Sequence, residues 1–347
     1  MSDLPPLEPR ANPDLVGHDH AARALEEAAR SGRLHHAWLL AGPPGVGKAT
    51  LAYRFARWLL AGAPPSPGGG AAPLALDPRH PVFRRVAAGA HADLLAIEPG
   101  TLQGSRKRAD VINVDAARLI PSFMALTAAE GGWRVVIIDG AETMAAPAAN
   151  ALLKILEEPP PRAVLLVVTA APGRLLPTIR SRCRRLDLFP LEDAALLPLL
   201  GRWLPDMPEA ERRDLARLAG GSPGRALALA EEGGLALQAL VEEVLAGLLR
   251  PDPRQAHAVA DRLAAGNDTT AFLTFFSLLR QAIAAATRLA ARDAAAAPAW
   301  VARRPLAEWS ALWDRLGRLA AETDALNLDR RQAVLTGLGW LAAPGRG

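Results

Sequence analysis

The sequence of 347 residues contains a single cysteine, Cys183. A disulfide within the chain and a zinc site built from several cysteines are therefore excluded. Lysine is also scarce, so arginine supplies nearly all of the positive charge, and the formal net charge is only +4. A charge this small for the length permits contact with nucleic acid but does not argue for it, because non-specific DNA binding needs a concentrated basic face.

Targeting and membrane segments are not indicated either. The N-terminus has neither the basic nor the apolar region of a signal peptide. No uncharged run combines the length and hydropathy that a membrane span requires. We therefore expect a soluble, cytoplasmic protein with no membrane partner. Hydrophobic residues make up 50% of the chain, which is ample for the cores of the two or three domains that its length suggests.

The chain does have a glycine-rich loop between an apolar run at 37–41 and a helical pattern at 51–60. The loop consists of Gly42, Pro43, Pro44, Gly45, Val46, Gly47, Lys48, Ala49 and Thr50. Between a strand and a helix, such a loop holds phosphates with backbone N–H groups and a lysine. The order predicts a phosphate-binding fold. Whether the loop binds ATP or is a vestige that only stabilises the fold is left open by the residues.

The residues that would hydrolyse a nucleotide are largely missing around this loop. Ala49 stands where a hydroxyl should bind Mg²⁺, and Thr50 is rotated from that position by about 100° around the helix. Asp139 follows an apolar strand, as a metal-facing acid would. The next residue, Gly140, has no side chain with which to activate water, and Glu142 is interpreted as a cap or a solvated acid. Intrinsic hydrolysis is therefore not expected.

Strand-like and helical segments alternate over residues 1–190, which predicts a mostly parallel sheet covered on both faces. A single helix is predicted over 147–158, and the Pro- and Gly-rich segment 61–80 is predicted to be a flexible surface insertion. Beyond this region Leu and Ala recur at helical spacing. We predict a small helical domain at 191–240 and a larger one at 245–342.

Arg182 lies in the sequence Ser181-Arg182-Cys183, between the last two predicted strands and at a domain edge. Three interpretations remain open from spacing alone. Arg182 is a plain surface cation, or one arm of a basic patch with Arg180, Arg184 and Arg185, or an arginine that projects into the nucleotide site of another subunit.

Several motifs occur together and in order: the loop 42–48, the strand 135–139, the segment 150–160 and Ser181-Arg182-Cys183. This combination resembles the bacterial clamp-loader branch of AAA+ proteins. The resemblance implies an α/β fold, with an AAA+ P-loop domain built on a parallel sheet. It also implies a small helical lid domain and a C-terminal, all-helical collar domain that closes a hetero-pentamer.

The resemblance also implies roles for individual residues. Arg182 would be the arginine finger that reaches the ATP of an adjacent motor subunit. Thr169 matches the sensor-1 position and Arg225 the sensor-2 region, and both are expected to be structural because the catalytic set is depleted. Motor subunits of the family, and some of the other subunits, carry a four-cysteine zinc module just after the loop's helix. This chain has the segment 61–80 there instead, so no zinc and no other metal is expected.

The expected function is that of a non-motor clamp-loader subunit. Its partners would be the other subunits, the sliding clamp and, through the complex, primed DNA, with ATP as a possible cofactor. Two alternatives remain: an active ATPase motor of the same family, and a monomeric P-loop nucleotide kinase. No polymerase or nuclease chemistry is expected of the chain itself.

Overall fold

A computed structural model describes residues 8–65, 72–101, 111–130, 132–250, 252–265 and 269–343. The chain divides into two compact units, one ending at Ala226 and the other beginning at Leu227. This division falls inside the segment 191–240, so the division into three domains stays a prediction. Of the insertion predicted at 61–80, residues 66–71 lie outside the described residues.

The first unit is built on a sheet of five parallel strands within the described residues. The strands are β1 (Ala37–Ala41), β2 (Leu94–Ile97), β3 (Arg134–Ile138), β4 (Ala163–Thr169) and β5 (Arg184–Asp187). Their order across the sheet is β2-β3-β4-β1-β5. The predicted fold class, an α/β chain with a parallel sheet, is confirmed.

Ten helices accompany or follow the strands in the described part of this unit, the tenth crossing its boundary. They are α1 (Asp19–Arg30), α2 (Lys48–Leu60), α3 (Pro81–Ala87), α4 (Val114–Ala125), α5 (Ala146–Ala151), α6 (Leu153–Glu157), α7 (Pro177–Arg182), α8 (Asp193–Trp203), α9 (Glu209–Ala219) and α10 (Pro223–Glu231). Short 3-10 helices span Ala141–Thr143 and Pro172–Arg174.

The strands β1, β3 and β4 are buried along their whole length, because helices cover both faces of the sheet. Alternate residues of each strand enter two separate cores. Leu40 packs with α1 and α2 on one face, and Leu39 packs with α4, α6 and α7 on the other. Because the residues on both faces of each strand enter an apolar core, the strands appear in the sequence as continuous apolar runs.

The helix expected over 147–158 is in fact two short helices, α5 and α6, with Leu152 between them. The N–H of Leu152 donates to the carbonyl of Ala149, three residues back, at 3.2 Å. A bond of this kind tightens the turn and interrupts the α-helical ladder. The side chain of Leu152 is fully buried, so the break lets it enter the core.

The ends of the predicted insertion are packed against α2, which corrects the expectation of a wholly flexible surface segment. Leu74 is fully buried in the core on the α2 face of the sheet. Arg54 donates to the carbonyl of Pro73 at 2.9 Å, and Trp58 donates to that of Pro64 at 3.0 Å. These side chains of α2 satisfy buried carbonyl groups that a loop cannot satisfy itself.

The second unit is helical in its described residues, with α11 (Gly234–Gly247), α12 (Pro253–Ala264), α13 (Thr270–Arg292), α14 (Leu306–Ala325) and α15 (Arg330–Ala342). One helix of the described chain, α13, has the length and apolar composition to cross a membrane. A single such helix argues weakly for a membrane, because core helices pass the same test. Phe272, Phe275 and Phe276 of α13 are buried against one another in this unit.

Gly220 and Gly221 form the turn that leads into α10, and both adopt positive φ, +59° and +78°. A Cβ added at Gly221 would lie 2.4 Å from the carbonyl oxygen of Leu191, whereas one added at Gly220 would meet nothing within 4 Å. The Leu191 N–H also donates to the carbonyl of Gly221 at 2.8 Å. The turn therefore holds the chain at Leu191 against the start of α10.

Replacing Gly221 with alanine is expected to lower the free energy of unfolding by on the order of 3 kcal/mol, because strained backbone and steric overlap add. Gly220→Ala is the matched control and should cost about 1 kcal/mol, since only the left-handed backbone is affected. Denaturant unfolding of the two full-length variants would measure the difference. Equal losses would show that the contact with Leu191 does not matter.

Candidate functional site

The predicted phosphate loop, residues 42–47, connects the carboxyl end of β1 to the first residue of α2. Gly45 and Gly47 adopt φ of +71° and +109°, which other residues rarely adopt. Val46 is 1% exposed and anchors the loop in the core. The backbone of a phosphate cradle is therefore retained.

Lys48 does not extend from this loop but folds back onto it. Its Nζ donates to the carbonyl oxygens of Gly42 at 2.9 Å and Pro43 at 2.7 Å. Burial lowers the pKa of Lys48, while the carboxylates of Asp139 and Glu142 act in the opposite direction. The ammonium group is thus satisfied by the loop itself, and phosphate would have to displace these carbonyls.

Ala49 and Gly140 occupy the two positions where the sequence predicts that catalytic side chains are missing. Ala49, in the first turn of α2, has no hydroxyl for Mg²⁺. Gly140 has φ +72°, and a Cβ there would lie 3.3 Å from the side chain of Pro99. An acid at this position would be both strained and crowded. Asp139 is present, and burial raises its pKa, opposed mainly by the charge of Lys48.

Glu142 and Thr169 are both used by the turn that follows β4. One carboxylate oxygen of Glu142 accepts the N–H of Ala170 at 3.0 Å. Thr169 is fully buried, and its hydroxyl accepts the N–H of Ala171 at 3.1 Å. Glu142 therefore supports this turn through one carboxylate oxygen, while its other oxygen is buried without a hydrogen-bond partner among the described residues.

The start of α10 lies directly on the phosphate loop. The N–H of Gly224 donates to the carbonyl of Gly45 at 2.9 Å. A Cβ added at Gly45 would lie 2.6 Å from the backbone nitrogen of Arg225, so only glycine fits there. Burial lowers the pKa of Arg225. Arg225 therefore lies at the loop through the backbone contacts of α10. The carbonyl of Thr169 accepts the N–H of Gly42 at 3.3 Å, and Asp139 interacts electrostatically with Lys48, whereas the nucleotide-binding roles of all three residues stay predictions.

His18 is a contributor to this region that sequence reasoning did not assign to the site. It is 1% exposed, and its Nε2 lies 2.8 Å from the carbonyl oxygen of Val46. Because a carbonyl only accepts, Nε2 carries the hydrogen in this contact. Its Nδ1 is buried without a hydrogen-bond partner among the described residues. Burial lowers the pKa of His18. In the sequence, His18 closes the motif Leu15-Val16-Gly17-His18, which resembles the same family, but nothing in that motif indicates a contact with the loop.

Arg182, the last residue of α7, makes its hydrogen bonds away from the loop. One terminal nitrogen lies 2.7 Å from a carboxylate oxygen of Glu157, and the other donates to the carbonyl of Thr178 at 3.1 Å. The side chain is 35% exposed. Glu157 was also missed at the sequence level, because a run of two acids before prolines gives no sign of what it pairs with.

The arginines beside Arg182 have contacts of their own. The guanidinium of Arg184 lies over the ring of Trp38 at 4.9 Å. Arg185 pairs with Asp187 at 2.8 Å. Arg185 is thus paired with a carboxylate, as Arg182 is, whereas the ring of Trp38 leaves the charge of Arg184 in place, so the interpretation of these arginines as a basic patch stays open.

Cys183, the only cysteine of the chain, follows Arg182 directly. Burial raises the pKa of the Cys183 thiol to about 12, so it stays protonated and unreactive near neutral pH. No group of three or more His, Cys, Asp or Glu residues in the described part of the chain could hold a metal ion.

Comparison with known proteins identifies relatives over the first unit. A family model described as "DNA polymerase III, delta subunit" matches residues 17–192. The delta' subunit of DNA polymerase III from Pseudomonas aeruginosa is 40% identical over 216 residues, which are 62% of each chain. The Escherichia coli delta' subunit is 36% identical over 58% of this chain and 56% of its own. The match thus spans less than two thirds of either relative.

More distant matches include the tau subunit of Escherichia coli DNA polymerase III, 31% identical over 65% of this chain and 33% of tau. Among solved structures, a Thermotoga maritima protein described as related to the gamma subunit of DNA polymerase III is 18% identical, with a TM-score of 0.44. That match covers 93% of this chain and 98% of the other.

The isolated chain is expected to hydrolyse ATP far more slowly than about one per second, the low end of ordinary enzyme rates. Ala49→Thr should leave this rate unchanged, because Gly140 still supplies no acid. Steady-state phosphate release by preparations free of other ATPases would measure both. Turnover of about one per second by the unaltered chain would contradict the conclusion that the site lacks the residues needed for hydrolysis.

His18 is expected to make stability depend on pH. The unfolded histidine titrates near pH 6.5, and the folded one lower, so the unfolded state binds more protons and stability falls as the pH drops below about 6.5. One such group contributes at most about 1.4 kcal/mol per pH unit. His18→Gln keeps an N–H for Val46 and should lose less stability between about pH 7.5 and 5.5. If the free energy of unfolding, measured with denaturant, depends on pH in the same way in both proteins, His18 is not the source of the pH dependence.

Proposed function

This chain belongs to the DNA polymerase III delta-subunit family, in the clamp-loader branch that includes delta prime, and we propose that it acts as a non-motor clamp-loader subunit of delta prime type. In this role it supports the ATP-dependent loading of a sliding clamp onto primed DNA without turning over ATP itself. Its relatives named delta' and tau support the assignment to a clamp loader.

The proposed partners are the motor subunits and a delta subunit, together in a cytoplasmic hetero-pentamer. Contact with the sliding clamp and with primed DNA comes through the complex. The AAA+ module would lie in the first unit, and the helices at 245–342 would form the collar that joins the subunits. Zinc has no part in the proposal.

The observation that carries the non-motor assignment is the state of the phosphate loop. Its backbone is retained, but Ala49 supplies no Mg²⁺ ligand, Gly140 supplies no acid, and Lys48 is held by the loop's own carbonyls. A phosphoryl-transfer site depends on the metal and on a group that orients water. ATP is the cofactor that such a loop fits, and here its role would be structural.

Arg182 is the residue proposed to act on a neighbour. Its side chain is 35% exposed at the end of α7, whereas Lys48 is buried and hydrogen-bonded to the loop. A guanidinium supplied by one subunit stabilises the charge that develops on the γ-phosphate bound by another. The hydrogen bonds of Arg182 are to exposed groups of its own chain, so the guanidinium can exchange them for contacts with a more highly charged anion.

Two other functions make different predictions. A motor subunit of the same family would need a hydroxyl after Lys48 and an acid after Asp139, and the isolated chain would then turn over ATP. A nucleotide kinase would act as a monomer, which leaves the helical second unit and Arg182 without a role. Size-exclusion chromatography with candidate clamp-loader subunits separates the kinase from a subunit of a complex.

Arg182→Ala is expected to leave the protein folded and assembled, while reducing the ATPase activity of the complex stimulated by clamp and DNA. An arginine finger contributes about 10³ to 10⁵ in rate at its own site. The loss in total ATPase should be partial, because the chain serves one site among several, and clamp loading should suffer more. Both activities would be measured on the reconstituted complex.

The controls for this substitution use the same surface. Arg182→Lys should rescue poorly, because an ammonium group lacks the planar fork of a guanidinium. Arg185→Ala removes a neighbouring positive charge and should have little effect. Equal losses from the changes at 182 and 185 would indicate DNA binding by a basic patch, and full activity of Arg182→Ala would remove the finger from the proposal.

A further inference from the structure

We propose that Glu157 is a positioning residue that holds the Arg182 guanidinium withdrawn until a neighbour's nucleotide competes for it. This inference rests on the proposed function of Arg182. Its basis is the pairing of the carboxylate of Glu157 with the terminal nitrogen of Arg182 at 2.7 Å, across 25 positions of the chain.

Both terminal nitrogens of Arg182 are engaged within its own chain. Nη2 donates to Glu157, and Nη1 donates to the carbonyl of Thr178 at 3.1 Å. A phosphate is bound most strongly when it accepts from two guanidinium nitrogens at once. The observed arrangement uses one N–H of each terminal nitrogen, so the carboxylate of Glu157 and a phosphate compete for the same guanidinium.

The backbone presents Glu157 from a fixed position. It is the last residue of α6, and the preceding Leu156 is 3% exposed in the core. The carbonyl of Leu156 lies 3.0 Å from the Nε2 of His36, in the segment just before β1. The prolines that begin at Pro159 stop the helix. The carboxylate can therefore reorient only by side-chain rotation.

The ion pair between Arg182 and Glu157 is weak enough to modulate the ATPase rate without blocking it. The side chains of Arg182 and Glu157 are 35% and 51% exposed. Exposed pairs contribute up to about 1 kcal/mol, which corresponds to about a five-fold change in an equilibrium. The γ-phosphate carries more charge and accepts both nitrogens, so it can displace the single carboxylate oxygen.

The test is the unstimulated ATPase of the reconstituted complex, measured without clamp or DNA. Glu157→Gln keeps the size of the side chain and removes its charge. It should raise kcat, and not KM, by up to about five-fold at the one site that Arg182 completes, and by a smaller factor in the total rate, to which several sites contribute. A merely structural role for Glu157 would lower the rate instead.

A double variant and a matched control make the outcome specific. Glu157→Gln combined with Arg182→Ala should behave as Arg182→Ala alone, and Glu158→Gln, at the adjacent exposed acid, should change nothing. The inference is wrong if Glu157→Gln fails to raise the ATPase rate. It is also wrong if Glu157→Gln raises the rate to the same extent in the Arg182→Ala background. If Arg182→Ala itself has no effect, the proposed finger fails and the role of Glu157 fails with it.

Discussion

The parallel alignment of β1, β3 and β4, buried on both faces, is the constraint on which the rest of the first unit depends. Because the strands run the same way, their carboxyl ends share one edge of the sheet. The phosphate loop follows β1, Asp139 follows β3, and Thr169 is the last residue of β4. The N–H of Gly42 donates to the carbonyl of Thr169 at 3.3 Å, so the loop begins against the neighbouring strand.

Burial at this edge determines the electrostatics of the site. Burial lowers the pKa of Lys48 and raises the pKa of Asp139. The opposite charges of the two groups partly offset both shifts. Bound phosphates would bring more negative charge toward Asp139 without a hydroxyl-held Mg²⁺ to offset it. Arg182, with a side chain that is 35% exposed, is the group for which a role at a neighbouring subunit is proposed.

Contacts distant in sequence decide which residues can move. The start of α10 is fixed on the loop by Gly45 and Gly224, with no room for a side chain. Arg182 and Glu157 are joined only by an exposed ion pair. The phosphate loop is therefore held to α10 by backbone packing, whereas Arg182 is held to Glu157 by a single exposed ion pair, and its exchange for another anion is part of the proposal.

The sequence by itself determined the parallel α/β class, the phosphate loop and the absence of its catalytic partners, because apolar runs, glycine order and single side chains are local properties. It missed the break at Leu152 and the buried Leu74, since both depend on which core a side chain can reach. Only the tertiary structure decided that His18 supports Val46, that Lys48 folds back, and that Glu157 holds Arg182. These contacts join residues up to 28 positions apart, and no local pattern encodes a hydrogen bond whose partners meet only after the sheet has formed.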